Sequence, residues 1–194
     1  AIYLLNSPQF IIAYFGALKA GATLTPISPV YTSIEVKHQL QDSEAESIVC
    51  QDFLYDNVER AGVKLKNVII TDIGEYLPLS KKLAGKSVLG RYGKTEAISP
   101  KAIESLGLHQ FQKLLKKYPP NPPKIEINAK EDIAVLPYTG GTTGLPKGAV
   151  LTHRNLLACQ MQCLAFMPTL EQGKEVIPAL LPFYHIYGQV VVML

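Results

Sequence analysis

Tyr138-Thr139-Gly140-Gly141-Thr142-Thr143-Gly144-Leu145-Pro146-Lys147-Gly148 follows directly on the apolar run Ile133-Ala134-Val135-Leu136. Glycine tolerates positive φ and lets the backbone come close to a ligand. A turn built this way aims successive N–H groups inward and forms an anion-binding nest. The threonine hydroxyls add donors and Lys147 adds a mobile positive charge. Together these residues read as a cradle for phosphate. The spacing is not that of the usual nucleotide-triphosphatase loop, in which Gly-Lys is followed by Ser or Thr and runs into a helix. Here Pro146 precedes the lysine and Gly148 follows it, so no helix continues from the lysine. A turn rich in Gly and Thr is more often an ordinary hairpin; the hydroxyls and the lysine together favour phosphate.

Outward from this loop, Asp132–Tyr138 reads as the strand that delivers it and Ala149–Leu151 as the strand that leaves it. Thr152 is placed to cap a helix from His153 to about Ala165, with Leu156, Leu157, Met161 and Leu164 inward. Val176–Leu181 reads as a further strand. It ends at Pro182-Phe183-Tyr184-His185-Ile186-Tyr187-Gly188, a second stretch with chemical content. Ligands of α/β sheets sit beyond the carboxyl ends of strands. His185 there is either one wall of an apolar pocket or a hydrogen-bonded member of an aromatic cluster, and the residues alone do not choose.

Toward the start, Ala1–Leu5 is a short apolar strand. Asn6-Ser7-Pro8 opens a helix, with Ser7 as cap and Pro8 at the first helical position. Phe10, Ile11, Tyr14, Phe15 and Leu18 recur at helical spacing as its buried face, and Lys19 and Gly21 end it. Ala22–Ile27 reads as a strand with Pro26 near its end. Thr32-Ser33-Ile34-Glu35 is a capping box for a helix that buries Ile34, Val36 and Leu40 in some combination. Ser47–Cys50 is the next strand. Asp52 then caps a helix over Phe53, Leu54, Val58 and Ala61 that Gly62 stops, and Asn67–Thr71 is a strand again. Apolar strands alternating with helices predict an α/β fold, a parallel sheet covered on both faces.

Residues 72–131 are richer in Lys, Gly and Pro. Ser80–Leu83 reads as one helical turn. Leu108, Phe111, Leu114 and Leu115 mark a short amphipathic helix before Lys116 and Lys117, and Pro119, Pro120, Pro122 and Pro123 forbid regular structure. The organisation is thus a βαβ-type unit over 1–71, an irregular connection over 72–131 and a phosphate-loop and pocket segment over 132–194. The 194 residues are 47% apolar and 18% charged, enough for a buried core, and the net charge of +3 is too mild to argue for nucleic acid. No apolar run is long enough to span a bilayer. Cys50, Cys159 and Cys163 lack metal or disulfide spacing and read as small buried apolar residues in a reducing compartment. The chain starts without Met inside a strand and stops in Val190-Val191-Val192-Met193-Leu194, so it reads as an internal piece of a longer protein.

Tyr138–Gly148, continuing through Ala149-Val150-Leu151-Thr152-His153-Arg154-Asn155-Leu156, closely resembles the signature loop of the adenylate-forming superfamily. This superfamily includes acyl-CoA synthetases, 4-coumarate–CoA ligases, luciferases and peptide-synthetase adenylation domains. Asn6-Ser7-Pro8-x-Phe10 and Leu18-Lys19-Ala20-Gly21-Ala22 resemble its N-terminal domain too. Pro182-x-aromatic-His185-x-x-Gly188 resembles the acyl- and aryl-CoA ligases, since adenylation domains of peptide synthetases usually lack the histidine.

The resemblance implies parallel-rich sheets covered by helices, as part of a large N-terminal domain. It implies phosphate contacts from Thr139, Gly140, Gly141, Thr142, Thr143, Gly144 and Lys147, with Thr139 also toward Mg²⁺. Tyr184, His185 and Gly188 would line the acid pocket, and Lys147 and His185 would serve the chemistry. His153 is read as a helix-start residue bonded to backbone. Gly140 stands where many relatives have Ser or Thr; it keeps the N–H donor and loses one hydroxyl.

The implied reaction joins a carboxylic acid, fatty above all, to CoA through an acyl-adenylate, using ATP. The implied setting is the cytoplasm, with small-molecule partners and a homodimer allowed. The family's Tyr-Gly-x-Thr-Glu motif, hinge and C-terminal lysine do not occur in these residues, so the piece alone is expected to be inactive. A non-catalytic nucleotide-binding fragment and an adenylate-only relative are the alternatives.

Overall fold

A computed structural model describes residues 1–78, 97–140, 144–171 and 173–194. Four parallel strands form the main sheet in the order β1 (Ile2–Tyr3), β2 (Ser47–Gln51), β3 (Asn67–Thr71) and β4 (His109–Gln110). The β2–β3 pair runs in register from Ser47 opposite Asn67 to Gln51 opposite Thr71. Parallel strands need crossovers, and helices supply them. The first two are α1 (Pro8–Lys19) and α2 (Ser33–Asp42). Between β2 and β3 lies a 3₁₀ turn, Asp52–Leu54, that runs into α3 (Tyr55–Ala61). Residues 72–131 add α4 (Pro100–Ser105), β4 and α5 (Phe111–Lys117) to this body. The helical turn expected at Ser80–Leu83 lies outside the described residues.

The two faces of the sheet are buried by different helices. Alternation along a strand sends Tyr3, Ile48, Cys50 and Ile70 into a core with Val36 and Leu40 of α2, Val58 and Ala61 of α3, and Ile103 of α4. Ile2, Leu4 and Val49 face the other way, toward Phe10 and Tyr14 of α1, Leu156, Phe183 and Val190. Parallel sheets are stable when covered on both faces, and this one is.

Several local expectations change. In α1 only Phe10 and Tyr14 of the apolar set are buried, Phe15 and Leu18 are half-buried, and Ile11 is exposed. In α2, Val36 and Leu40 are buried but Ile34 is 75% exposed; two residues before Val36, it stands on the opposite side of the helix from the Val36–Leu40 face. The capping box of α2 forms, with the Thr32 N–H donating to the Glu35 carboxylate at 2.7 Å. Ser7, expected to cap α1, makes no side-chain cap bond. Gly62 closes α3 in the left-handed conformation at φ 64°.

The segment 22–27 is not a regular strand, yet it stitches the sheet to the loop half. Ile2 N–H donates to the Thr25 carbonyl and Ile27 N–H to the Ile2 carbonyl, at 3.1 and 2.8 Å. On the other edge Leu24 N–H reaches Ala134 and Leu136 N–H returns to Leu24, at 2.9 and 2.7 Å. Pro26 has no N–H to carry that second ladder further.

The expected strand 132–138 breaks at Pro137 into β5 (Ile133–Val135) and β6 (Tyr138–Thr139). The expected strand 149–151 becomes β7 (Lys147–Gly148) and β8 (Leu151–Thr152), with Val150 60% exposed between them. β5 pairs with β8 and β6 with β7, both antiparallel. Residues 176–181 form no strand. Pro178 interrupts the backbone donors, and the side chain of Asn6 takes the carbonyls of Ala179 and Leu181 instead.

Helix α6 (His153–Phe166) is capped as expected, Asn155 N–H donating to the Thr152 hydroxyl. Its inward face is narrower than the periodicity suggests. Leu156 is buried in the cluster that holds Val135 and Val190, whereas Leu157, Met161 and Leu164 are exposed. Cys50 is buried as expected, but Cys159 on α6 is exposed.

Candidate functional site

Thr139 and Lys147 face each other across the β6–β7 hairpin, paired in the ladder next to Tyr138 and Gly148. The glycine- and threonine-rich stretch is therefore the loop of a hairpin, and the lysine sits at its return. Gly141, Thr142 and Thr143 lie outside the described residues. Thr139, Gly140, Gly144 and Lys147 are exposed. At the foot of the hairpin the ring of Tyr138 backs onto Gly148; a Cβ there would stand 3.1 Å from the ring, tighter than ordinary packing allows. The Tyr138 hydroxyl donates to Asp42 of α2 at 2.5 Å. Burial and then that carboxylate keep the phenol protonated well above its ordinary range.

Two cavities flank the hairpin and share Thr139. One, of about 600 Å³, is lined by His38 and Asp42 of α2 with Thr139, Gly144 and Lys147. The other, of about 360 Å³, brings Thr139 and Gly140 together with Tyr184 and His185, walled by Tyr31 and Gln39. The two stretches singled out in the sequence, more than forty residues apart, thus meet across one cavity.

Within the Pro182–Gly188 stretch the aromatics part ways. Phe183 is the packed aromatic, 3% exposed and edge-on to Phe10 with ring centroids 5.6 Å apart. Tyr184 and His185 turn to the cavity instead. The Tyr187 N–H donates to His185 Nδ1 at 3.2 Å. A backbone N–H can only donate, so Nδ1 is the unprotonated nitrogen and the neutral ring carries its proton on Nε2.

Gly188 does not line the cavity. A Cβ on it would meet the Pro182 carbonyl oxygen at 2.2 Å, so this glycine allows the turn to close on itself. His153 opens α6, half-buried, its backbone N–H donating to the Asp132 carbonyl at 3.3 Å.

Three positioning groups went unnoticed in the sequence. Asn6 donates to the carbonyls of Ala179 and Leu181 at 3.0 and 2.8 Å and accepts from Phe183 N–H at 2.8 Å. Its Asn-Ser-Pro context reads only as a helix start. The buried Gln189 accepts from the Tyr14 hydroxyl at 3.2 Å and donates to the Tyr184 carbonyl at 3.4 Å. The third group, His38 with Asp42, looks like the solvated side of a helix. No local pattern signals any of these, because apart from the Tyr184 carbonyl, five residues from Gln189, the partners lie far away in the chain.

The description "AMP-binding enzyme" matches residues 1–194. The chain belongs to the AMP-binding enzyme family. It is 34% identical over 200 residues to a long-chain-fatty-acid–CoA ligase of Bacillus subtilis, covering 100% of this chain and 34% of that one. A ligase of the same name from Salmonella typhimurium is 36% identical over 198 residues, covering 97% and 33%. The crystal structure of a long-chain-fatty-acid–CoA ligase from Archaeoglobus fulgidus superposes with a TM-score of 0.67 at 24% identity, over 97% of this chain and 32% of that one. The fold is thus that of part of an adenylate-forming enzyme. The chain spans about a third of the length of the curated relatives it matches.

Proposed function

We propose that the full-length protein activates a carboxylic acid, a fatty acid first, with ATP and passes the acyl group to CoA. The carboxylate oxygen attacks the α-phosphorus and pyrophosphate leaves. The CoA sulfur then attacks the acyl carbon and AMP leaves. The observation that carries this reading is the shared wall at Thr139. One cavity joins the hairpin to Lys147, and the next joins it to Tyr184 and His185.

The first step develops charge on phosphate oxygens. The N–H groups of Gly140 and Gly144, the Thr139 hydroxyl and the Lys147 ammonium offer donors at the hairpin, and donors fixed in advance stabilise that charge without reorganisation. Tyr184 and the Nε2 edge of His185 orient the acid beside the hairpin, and Gly188 keeps their turn closed. A hydroxyl such as that of Thr139 is a hard oxygen donor, suited to Mg²⁺ shared with substrate phosphates; when bound, the cation would neutralise the phosphate charge. No helix among the described residues is long and apolar enough to cross a membrane. The free cysteines, one of them exposed, agree with the reducing cytoplasm.

The test is acid-dependent pyrophosphate release by the full-length protein over fatty and aromatic acids, with and without CoA. Thioester formation with a fatty acid is expected. Lys147→Ala should lower the rate on the order of 100-fold, and His185→Ala should lower it with a rise in KM for the acid. Release without thioester identifies an adenylate-only enzyme. No release with any acid leaves a nucleotide-binding protein. The isolated 194-residue chain is expected to release none.

A further inference from the structure

We propose that helix α2 is the positioning element of the phosphate loop: Asp42 and His38 hold the two feet of the β6–β7 hairpin and thereby set the affinity for ATP. The inference rests on the reading of this hairpin as the ATP phosphate site. His38 and Asp42 are four residues apart and share one face of α2. Asp42 Oδ2 accepts from the Tyr138 hydroxyl at 2.5 Å, on the strand that enters the loop. His38 Nε2 lies 2.8 Å from the Pro146 carbonyl, on the side that leaves it. A carbonyl only accepts, so His38 Nε2 is the donor whether the ring is neutral or charged. The Tyr138 ring stands edge-on to His38, centroids 6.2 Å apart at 88°, and its face backs onto Gly148.

The hairpin needs such outside support. Among the described residues it pairs at two positions, and an isolated two-stranded ribbon is marginal in water. The helix that supplies the support is itself fixed. Val36 and Leu40 are in the sheet core, and the Gln39 amide donates to the Thr25 hydroxyl and the Pro26 carbonyl at 2.7 and 2.9 Å. Thr25 in turn donates to Leu136, just before β6. The pitch of the loop is thus set from the sheet, through α2, at both ends. His38 and Asp42 touch the hairpin at both feet and also stand in the wall of the cavity beside Lys147.

The test measures ATP affinity by calorimetry, pyrophosphate release and thermal unfolding on the full-length protein. Asp42→Ala, Tyr138→Phe and His38→Ala should each raise Kd and KM for ATP about fivefold to tenfold, with KM for the acid within about twofold. Asp42→Asn keeps an acceptor and His38→Gln keeps a donor, so both should recover most of that loss. Tyr138→Phe leaves the ring against Gly148 and so reports the hydroxyl without removing the packing. ATP affinity unchanged in Tyr138→Phe and His38→Ala, with only a lower unfolding temperature, would overturn the proposal and leave α2 a purely structural support. Wild-type protein that binds ATP but releases no pyrophosphate would sink the ligase reading alone, since Kd still reads the clamp.

Discussion

Residues 1–71 and residues 132–194 treat their polar groups in opposite ways. In the first region the Tyr3 and Thr25 hydroxyls and the amide N–H groups of Gln9, Gln39 and Gln51 are committed within the fold, while the Ser7 hydroxyl and the three glutamine oxygens are buried without a partner among the described residues. The Tyr3 hydroxyl donates to Tyr31 and accepts from Asn57, and the Gln39 amide is tied to Thr25 and Pro26. In the second region Thr139, Gly140, Lys147 and His185 remain exposed around two cavities. Buried polar groups must find partners inside the protein, so a frame spends its hydrogen-bonding capacity on itself. A site keeps that capacity for its ligand. The two regions should therefore fail differently when cut.

The largest contrast is between Phe10 and Lys147. Phe10 is fully buried between Tyr14 and Phe183. Phe10→Ala should cost about 3–5 kcal/mol of stability, read from denaturant unfolding. Lys147→Ala should change stability by less than about 0.5 kcal/mol while it abolishes most pyrophosphate release. Equal losses of stability from the two substitutions would erase the distinction between frame and site.

Asn6 is the joint of the comparison, because it belongs to the first region and bonds only to the second. Asn6→Ala removes three hydrogen bonds that hold residues 179–183. It should cost about 1–3 kcal/mol and also raise KM for the acid, since Tyr184 and His185 follow directly. A fall in stability with an unchanged KM would make Asn6 part of the frame alone.

The frame was legible because its signals are local. Capping at Thr32 and Glu35, the stop at Gly62 and the apolar strands at 47–51 and 67–71 each need only neighbours in sequence. The hairpin was legible as chemistry, since glycines, threonines and Lys147 stand together. What failed was burial where no partner covers the element. Leu157, Met161 and Leu164 carry the right period on α6 and still face outward, and 176–181 has β-type residues with no strand beside it. Helix α4 was missed although Ser99-Pro100 repeats the Ser7-Pro8 signal, and it is Ser99 that makes the cap bond, accepting from Ala102 N–H at 3.2 Å. The links of Asn6, His38 and Asp42 span 96 to 177 residues, beyond the reach of any pattern.

The smallest effect sharpens the contrast from inside the frame. Asp52 sits where β2 ends, and burial first, then the nearby Asp72 carboxylate, push its carboxyl from 3.8 up to about 6. The folded chain therefore binds more protons than the unfolded chain between about pH 4 and pH 6. The stabilising contribution is full below the unfolded value and is lost as pH rises through 6. Because the group is partly open to water, the change should be about 1 kcal/mol. Asp52→Asn keeps an oxygen to accept from Phe53 N–H, a bond of 3.0 Å in the native chain, and should remove that fall in stability. Denaturant midpoints of both proteins at pH 4.5, 5.5 and 7 give the comparison. Parallel curves would mean that Asp52 titrates as an ordinary carboxylate. A convergence toward low pH, with the pH profile of pyrophosphate release shared by both proteins above pH 6, would show a frame in which deprotonation of Asp52 costs stability without reaching the chemistry at the hairpin.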